Sequence, residues 1–268
     1  MKDIQGQRDY RRINIKKVGV KNISYPVTVR DKARKTQKTV ATVNMYVNLP
    51  HQFKGTHMSR FVEILNRFHG EINLKSFHRI LEDMKVRLQA EAAHLEITFP
   101  YFLQKASGQA QSVGMNEYRC TMHGSLEKTD DLVLEIQVPI SPPLPSQIGQ
   151  GLPRSLGHWG RATIRLRFKH FIWIEEIIQL VEEVTSHDLC WPTAETCTEY
   201  TLSVESITTA LGRKLENHAA IAWFSVLVEN LSQGYNTFAS LEWQNNTATQ
   251  PTVKKISRET DHATRTPL

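Results

Sequence analysis

Regular alternation of apolar and polar side chains over long stretches is the feature that most constrains this fold. In the clearest stretch, KTVATVNMYVNL at 38–49, one set of alternate side chains is mostly polar and the other is entirely apolar. The first set is Val40, Thr42, Asn44 and Tyr46, and the second is Ala41, Val43, Met45 and Val47. Successive side chains of a β-strand point to opposite faces, so the pattern predicts a strand with one buried face. Segments 13–20 and 24–30 alternate too, and together they predict one long hairpin whose turn lies at 31–37.

Apolar residues at helical spacing follow the hairpin. Thr56 is a candidate N-cap, and a helix is predicted from it to Gly70, with a second helix over 74–92. Strands are then predicted at 95–103, 113–128 and 132–140. The second half repeats this order, with a strand at 161–168, helices at 173–187 and 204–216, and strands at 221–230 and 237–243.

The order strand-strand-helix-helix-strand-strand, found twice, predicts an α+β fold. We predict two ββααββ units per chain, with antiparallel sheets and the helices on one face. The first unit is placed at 1–128, the second at 129–244, and a flexible polar tail at 245–268. Open edges of such sheets favour closure or pairing with another copy, so a homo-oligomer is expected.

Composition and charge narrow the class of protein. Hydrophobic residues make up 40% of the chain and charged residues 22%, as in soluble globular proteins. Four glutamates interrupt the most apolar helical stretch, FIWIEEIIQLVEEV, which argues against a membrane span. The three cysteines form no CxxC pair, which fits a reducing compartment without disulfides. We therefore expect a cytoplasmic protein.

The net charge of +6 comes partly from basic clusters at 30–38 and 252–268. Such runs are usually solvated surface, although they can also concentrate an anionic ligand such as a nucleotide. Zinc-finger, RNP and helix-turn-helix patterns do not accompany the charge, so we expect no nucleic-acid partner.

Several motifs resemble GTP cyclohydrolase of type IB. They include VGV at 18–20, QKTVATVNMYVNLP at 37–50, KGTHMSRF at 54–61, VPI at 138–140 and WFSVLVEN at 223–230, and the residues Tyr101, Phe102, Tyr118, Cys120 and Gly124. The resemblance implies the tunnelling fold and a homotetramer with active sites at subunit contacts. It also implies conversion of GTP and water to 7,8-dihydroneopterin triphosphate and formate, the first step of tetrahydrofolate and pterin biosynthesis.

The resemblance further implies a divalent metal, Zn²⁺ or Mn²⁺. Opening the imidazole ring of guanine needs water at C8, and a metal supplies this nucleophile by lowering the pKa of its bound water. The triphosphate needs fixed cations, for which Arg is best suited. By their match to the family, His57, Arg60 and Arg161 are implied to bind substrate.

Other positions of the family site are matched less completely. His158 matches the family's A-H-N-Q-R-S motif and is implied to be catalytic and a metal ligand, and Glu195 is implied to be the metal carboxylate. Ser146 stands at the position of the catalytic, metal-binding cysteine, and Glu205 at a second acid. The family's purine-binding acid and two histidines are replaced here by Ser232, Tyr235 and Thr237.

Each candidate also has a purely structural interpretation. His57 could satisfy a helix N-terminus, Arg60 could form a surface salt bridge, Lys54 could be solvated, and His158 could be hydrogen-bonded to backbone. Two main hypotheses follow: a metal-dependent GTP cyclohydrolase, or a catalytically inactive relative that binds nucleotide or serves a structural or regulatory role. A basic nucleic-acid-binding module is a third hypothesis, supported by net charge alone.

Overall fold

The computed structural model describes residues 15–49, 58–68, 74–106, 113–140, 160–185, 203–231 and 235–245. Within these ranges the chain forms eight strands and four helices. The strands are β1 (Ile15–Asp31), β2 (Lys35–Leu49), β3 (Ala93–Ala106), β4 (Val113–Leu126), β5 (Asp130–Ile140), β6 (Gly160–Phe168), β7 (Ile221–Leu231) and β8 (Asn236–Gln244). The helices are α1 (Met58–Asn66), α2 (Leu74–Leu88), α3 (Ile174–Glu183) and α4 (Val204–Glu216).

All eight strands form one antiparallel sheet, in which each strand pairs with its neighbours along the chain. The α+β class and the antiparallel sheet are thereby confirmed. Strands β4 and β5 pair through partners such as Arg119 and Gln137, so the sheet continues across the boundary predicted at residue 128. The division into two units stays a prediction, and the tail from 246 onwards lies outside the described residues.

Strand β1 runs through both alternating segments of the predicted hairpin. Its pairing with β2 shifts register between Val20 and Ile23, where Asn22 has a positive φ of 59°. The main-chain amide of Asn22 donates to Oδ1 of Asn44 on β2 at 2.9 Å. A β-bulge of this kind interrupts the alternation without ending the strand, which explains the gap in the sequence pattern.

One hydrophobic cluster joins the helices to one face of the sheet. The alternation in β2 is confirmed, since its apolar set is buried: Ala41, Val43, Met45 and Val47. Helices α1 and α4 add their own apolar faces: Phe61, Ile64, Leu65, Ile207, Leu211 and Leu215. Burial of each large apolar side chain contributes roughly 1.5–3 kcal/mol, so this face is strongly specified. We call the other face of the sheet, which carries the polar residues, the open face.

Tyr101 and Tyr118 of the resemblance motif attach the sheet to helix α3. The Tyr101 hydroxyl donates to Glu175 Oε1 and the Tyr118 hydroxyl donates to Glu182 Oε1, each at 2.6 Å. Burial first, and then these bonds, raises the pKa of both phenols above the ordinary value. Strands β3 and β4 are thereby held to a helix by contacts between residues that are 74 and 64 positions apart in the chain.

Gly124 and Cys120 of the same motif are packing residues on β4. A Cβ at Gly124 would lie 2.1 Å from a ring carbon of Phe77 on α2, so a larger residue would push the helix away. Cys120 is fully buried, and burial raises the pKa of its thiol well above the usual value. A buried, protonated thiol is inert, so Cys120 acts as a small apolar residue of the core.

The antiparallel order gives the sheet two distinct ends. The end that contains the β1–β2 turn, which we call the turn end, is formed by Asp31, Lys35, Ala106, Val113, Ile140, Gly160, Leu231 and Asn236. The far end is formed by Leu49, Ala93, Leu126, Asp130, Phe168 and Ile221. A strand such as β5, with 11 residues, spans about 35 Å at the usual rise per residue. The two ends are therefore separated by more than the length of a small ligand.

Candidate functional site

Two of the residues predicted to bind substrate, Arg60 and Arg161, lie in the described part of the chain. Other predicted positions lie outside it: Lys54, His57, Ser146, His158, Glu195 and Ser232. Their roles stay predictions. Three further candidates are described, and these are Glu205, Tyr235 and Thr237.

Arg161 is ion-paired on the open face of the sheet. Its Nη2 donates to Oε2 of Glu229 at 2.8 Å. The two residues are direct register partners on β6 and β7, so the backbone ladder itself brings them together. The Arg161 side chain remains 40% exposed, whereas Glu229 is 22% exposed. The guanidinium is thus accessible on one side and held by the carboxylate on the other.

Gly160 lets β6 and β7 approach closely beside this pair. A Cβ at Gly160 would lie 2.2 Å from the main-chain oxygen of Glu229. A glycine within a strand often marks such a close approach of two backbones. The position of Arg161 relative to Glu229 is therefore set by the backbone as well as by the ion pair.

Two segments that carry predicted site residues join the sheet next to this pair. Residues 141–159, which include Ser146 and His158, connect Ile140 to Gly160 at the turn end. Residues 232–235, which include Ser232, connect β7 to β8 at the same end. The Arg161–Glu229 pair lies close to the strand ends at which both segments attach, so the candidate site is centred on the turn end of β5 to β8.

Arg60 lies near the far end instead. It is exposed on α1, and its Nη1 donates to the main-chain oxygen of Arg87 at 3.1 Å. Arg87 is in the last turn of α2, a few residues before β3 begins at Ala93 at the far end. A cation at this position stabilises the C-terminus of a helix. Among the described residues Arg60 forms this bond and no salt bridge.

The two arginines implied to bind substrate therefore belong to different ends of one sheet. No hydrogen bond or ion pair among the described residues links α1 to Arg161. A nucleotide is shorter than the roughly 35 Å that separates the ends. A site that uses both Arg60 and Arg161 would need residues from more than one copy of the chain.

The other described candidates are polar and exposed. Glu205 is exposed in the first turn of α4, where a carboxylate stabilises the helix N-terminus. Tyr235 is 74% exposed, and Thr237, on β8, is exposed as well. Thr237 pairs in register with Asn230 of β7, beside the Arg161–Glu229 pair. Tyr235 and Thr237 thus place hydroxyl groups at the turn end, at two positions where the resemblance implies histidine imidazoles.

A second group of charges occupies the middle of the open face. Glu135 on β5 lies 3.0 Å from Nε of Arg165 and 3.5 Å from Nε2 of His123. The His123 imidazole, together with Gln137 and Arg165, holds the pKa of Glu135 below its usual value in spite of burial. These residues form a cross-strand network that the sequence analysis did not anticipate.

Glu96 on β3 extends the same network. It accepts from Asn44 Nδ2 at 3.0 Å and from the Tyr46 hydroxyl at 2.8 Å. Burial alone would raise the pKa of Glu96, but these two bonds outweigh it and the pKa is lowered. Burial first, and then Glu96, raises the pKa of Tyr46 to about 12. The carboxylate is therefore ionised and the phenol neutral at neutral pH.

The basic cluster at 30–38 borders a cavity of about 580 Å³ at the β1–β2 turn. Lys32, Arg34 and Lys38 line it, together with Asp31 and Glu175. The cavity therefore contains both signs of charge. The cavity lies beside β1 to β3, whereas the Arg161–Glu229 pair lies on β6 and β7.

A metal-binding cluster is not found among the described residues, where no three His, Cys, Asp or Glu side chains are suitably grouped. The donors implied by the resemblance are His158, Glu195 and Ser146, which offer one imidazole, one carboxylate and one hydroxyl. Catalytic zinc sites ordinarily have three strong protein ligands and one water. These three residues do not fit a complete zinc site, because a hydroxyl is a weak ligand.

Glu229 is the residue of this region that the sequence analysis missed. It stands in WFSVLVEN, a stretch otherwise interpreted as core, as a charged residue near the end of an apolar strand. A charged residue in an otherwise apolar strand was the sequence feature that could have identified Glu229. Its partner could not be identified, because Arg161 is 68 residues away and the register between β6 and β7 is a tertiary property.

None of the helices in the described ranges is both long and apolar enough to cross a bilayer.

Comparisons with known proteins place the chain among relatives of similar length. It matches the family described as GCHY-1, Type I GTP cyclohydrolase folE2, over residues 1–232. It is 39% identical over 253 residues to GTP cyclohydrolase FolE2 of Syntrophus aciditrophicus, covering 90% of this chain and 99% of that one. It is 44% identical over 255 residues to GTP cyclohydrolase FolE2 of Geobacter sulfurreducens, covering 90% of this chain and 98% of that one.

Among solved structures, the chain is similar to uricase from Arthrobacter globiformis. The TM-score is 0.55 at 9% sequence identity, with 88% of this chain and 95% of the uricase covered. At that identity the likeness concerns the fold alone.

Proposed function

The chain belongs to the type I GTP cyclohydrolase FolE2 family, and we propose that it converts GTP and water to 7,8-dihydroneopterin triphosphate and formate. One observation carries this proposal: identities of 39% and 44% to GTP cyclohydrolases of this family extend over 90% of the chain. Similarity over nearly the full length of both proteins favours a shared reaction. The chain would then be a hydrolase of folate and pterin biosynthesis, acting in the cytoplasm.

We assign Arg161 to the binding of the substrate triphosphate. Its guanidinium is accessible, charged and fixed, which are the properties that recognition of a phosphate requires. The same role is proposed for Arg60 and His57, supplied by another copy of the chain. The placement of Arg60 and Arg161 at different ends of the sheet supports this division.

Association of several copies follows from the same argument. We propose that each chain has the tunnelling fold, with two ββααββ units at residues 1–128 and 129–244. We also propose that the protein is a homotetramer. The order of the strands and helices and the fold likeness to a uricase support the tunnelling fold. The outer edges of β1 and β8, which pair with no other strand among the described residues, support association, since such edges readily pair with another chain.

His158 and Glu195 remain the proposed metal ligands, with Ser146 at the position of the family's cysteine. A bound divalent metal would supply an activated water at the guanine ring. With two strong donors in place of three, we expect weak metal binding. Activity would then depend on added Zn²⁺ or Mn²⁺ more strongly than in a relative that has the cysteine.

A second function is favoured by the described residues at the start of β8. Tyr235 and Thr237 stand where the resemblance implies histidines, and hydroxyls at these positions transfer protons less readily at neutral pH. The chain could on this basis be a catalytically inactive relative that binds GTP. Binding without turnover would identify that function.

Turnover of GTP decides between the two functions. We expect the purified protein, supplied with Zn²⁺ or Mn²⁺, to form a product that becomes a fluorescent pterin after oxidation, with release of formate. The Geobacter sulfurreducens relative is the positive control, and chelator-treated protein is the negative control. Absence of product with either metal, while the relative is active and GTP binding is detected by calorimetry, would establish the inactive relative instead.

Replacing Ser146 by cysteine sharpens this test. If Ser146 occupies the position of the family's metal-binding cysteine, Ser146→Cys should increase bound Zn²⁺ and raise turnover at limiting metal. The matched control is Ser155→Cys in the same segment, which should change neither. Equal metal content in the two variants would reject the position assigned to Ser146.

A further inference from the structure

The Arg161–Glu229 pair suggests a role for a residue that the resemblance does not assign. We infer that Glu229 is a positioning residue for GTP binding, because its carboxylate orients the Arg161 guanidinium toward the triphosphate. This inference rests on the proposed function. Three observations carry it: the ion pair, its position in the sheet, and its contrast with a second pair on the same strand.

The ion pair leaves most of the guanidinium available. Arg161 uses Nη2 for the 2.8 Å bond to Glu229, and the structure gives its buried Nε no hydrogen-bond partner among the described residues. A guanidinium has five N–H donors in one plane. Fixing one of its nitrogens fixes the direction of the others, so Nη1 is left free to donate to a phosphate oxygen.

The backbone makes Glu229 a fixed support. Glu229 is the register partner of Arg161 on β7, whereas the partner on β5 is Pro139, which has no charge. Gly160 allows the backbones of β6 and β7 to lie close together at this point, since a Cβ there would meet the main-chain oxygen of Glu229. An unsupported Arg side chain loses considerable rotamer entropy when a ligand fixes it. Ordering it before the ligand arrives lowers the cost of binding.

The location of the pair connects it to ligand binding rather than to the sheet alone. Arg161 follows His158 by three residues, and Glu229 precedes Ser232 by three residues. Both segments are attached to the sheet at the turn end. The pair therefore lies next to the attachment points of two segments that carry predicted site residues.

A second pair on β6 provides a matched comparison. Nε of Arg165 forms an ion pair with Oε2 of Glu135 at 3.0 Å, and these two residues are register partners on β6 and β5. This pair lies on the same face, four residues further along β6, in the middle of the sheet. It has the same chemistry as the Arg161–Glu229 pair but no adjacent connecting segment, so it should affect stability without affecting GTP.

Steady-state kinetics of variants test the inference. We expect Glu229→Ala to raise KM for GTP about tenfold with kcat within about twofold of wild type. Glu229→Gln should stay within about threefold of the wild-type KM, because its amide oxygen can accept the same bond from Arg161. If Glu229 acts through Arg161, then adding Glu229→Ala to Arg161→Ala should not raise KM further.

Glu135→Ala is the control and should keep the wild-type KM, with thermal unfolding used to compare the stability of all variants. The inference is overturned if Glu229→Ala keeps the wild-type KM, if Glu135→Ala raises KM equally, or if the effects of Glu229→Ala and Arg161→Ala add. An inactive wild type rejects the proposed function instead. In that case the dissociation constant of GTP, measured by calorimetry on the same variants, tests the inference by the same comparisons.

Discussion

At the scale of residues, the open face is organised by cross-strand ion pairs along β6. Alternate side chains of this strand project the same way, and three of its arginines each contact a carboxylate of a neighbouring strand. The pairs are Arg161–Glu229, Arg165–Glu135 and Arg167–Asp131. Such pairs specify the register of a sheet, because a shift by one residue would place like charges or apolar groups opposite one another.

The Arg167–Asp131 pair should make stability depend on pH. Arg167 donates Nε and Nη2 to the two carboxylate oxygens at 2.6 and 2.8 Å, and these bonds lower the pKa of Asp131. A lowered folded-state pKa gives stabilisation that is present above the unfolded pKa of about 3.9. It is lost as the pH falls through the folded pKa. Asp131→Asn should therefore reduce the urea midpoint at pH 7, whereas the two proteins should converge as the pH falls through the lowered folded-state pKa of Asp131.

The size of this effect should be modest. Both side chains are about 40% exposed, so solvent screening limits the difference at pH 7. Glu117→Gln is a suitable control, because Glu117 is exposed on β4 and forms none of these bonds. A difference between wild type and Asp131→Asn that stays unchanged as the pH falls through the folded-state pKa would contradict the assignment.

At the scale of elements, the helix ends show how local chemistry fixes boundaries. Helix α4 begins after Ser203, whose side chain accepts from the Ser206 amide at 3.1 Å, while the Ser203 amide donates to Ser206 Oγ at 3.3 Å. This reciprocal arrangement is a capping box. The bounds of α4, Val204–Glu216, agree with the predicted 204–216. Helix α3 ends at Glu183, and the predicted end at 187 lies outside the described residues.

Removal of the Ser203 cap should destabilise the protein. Ser203→Ala leaves helix amides of α4 without a side-chain acceptor, and the expected loss is about 1 kcal/mol in the free energy of unfolding from urea titration. Ser203→Asp should retain most of the stability, because its carboxylate also caps and favours the helix N-terminus. If the alanine and aspartate variants are equally destabilised, the cap is not the cause.

At the scale of the whole molecule, the described part of the sheet ends on β1 at one side and on β8 at the other, and no other described strand pairs with these outer edges. The hairpin of β7 and β8 also exposes large apolar side chains: Leu231 at 43%, Tyr235 at 74% and Phe238 at 67%. Exposed apolar groups beside an open edge are typical of a surface that another chain covers. This is the part of the molecule through which the proposed tetramer would form.

A lysine at position 238 should weaken that association. Lysine on an edge strand opposes strand pairing, so we expect Phe238→Lys to lower the molar mass measured by light scattering at a given concentration. Val86→Lys is the matched control, since Val86 is 76% exposed on α2, away from both edges. The prediction fails if the mass of Phe238→Lys equals that of the wild type, or if Val86→Lys lowers it as much.

The candidate site was predictable only in part. The resemblance pointed to Arg161, and the structure places Arg161 at an accessible end of the sheet. Its partner Glu229 and the network of Glu96, His123 and Glu135 were not predicted, because each contact joins residues on different strands. The type of a side chain shows whether it can form an ion pair or a hydrogen bond. Which partner it meets depends on the register of the sheet.

By itself the sequence determined the elements and their buried faces. Period-two alternation placed Val43 and Met45 on the buried face of β2, and helical spacing predicted α4 at 204–216. These properties are local, since a few consecutive residues decide which face is apolar. Only the tertiary structure decided that one sheet joins both halves, that Arg60 and Arg161 lie at different ends of it, and that Glu229 supports Arg161. Those relations depend on which strands pair and in which register, and such pairing is stabilised by contacts between residues far apart in the chain.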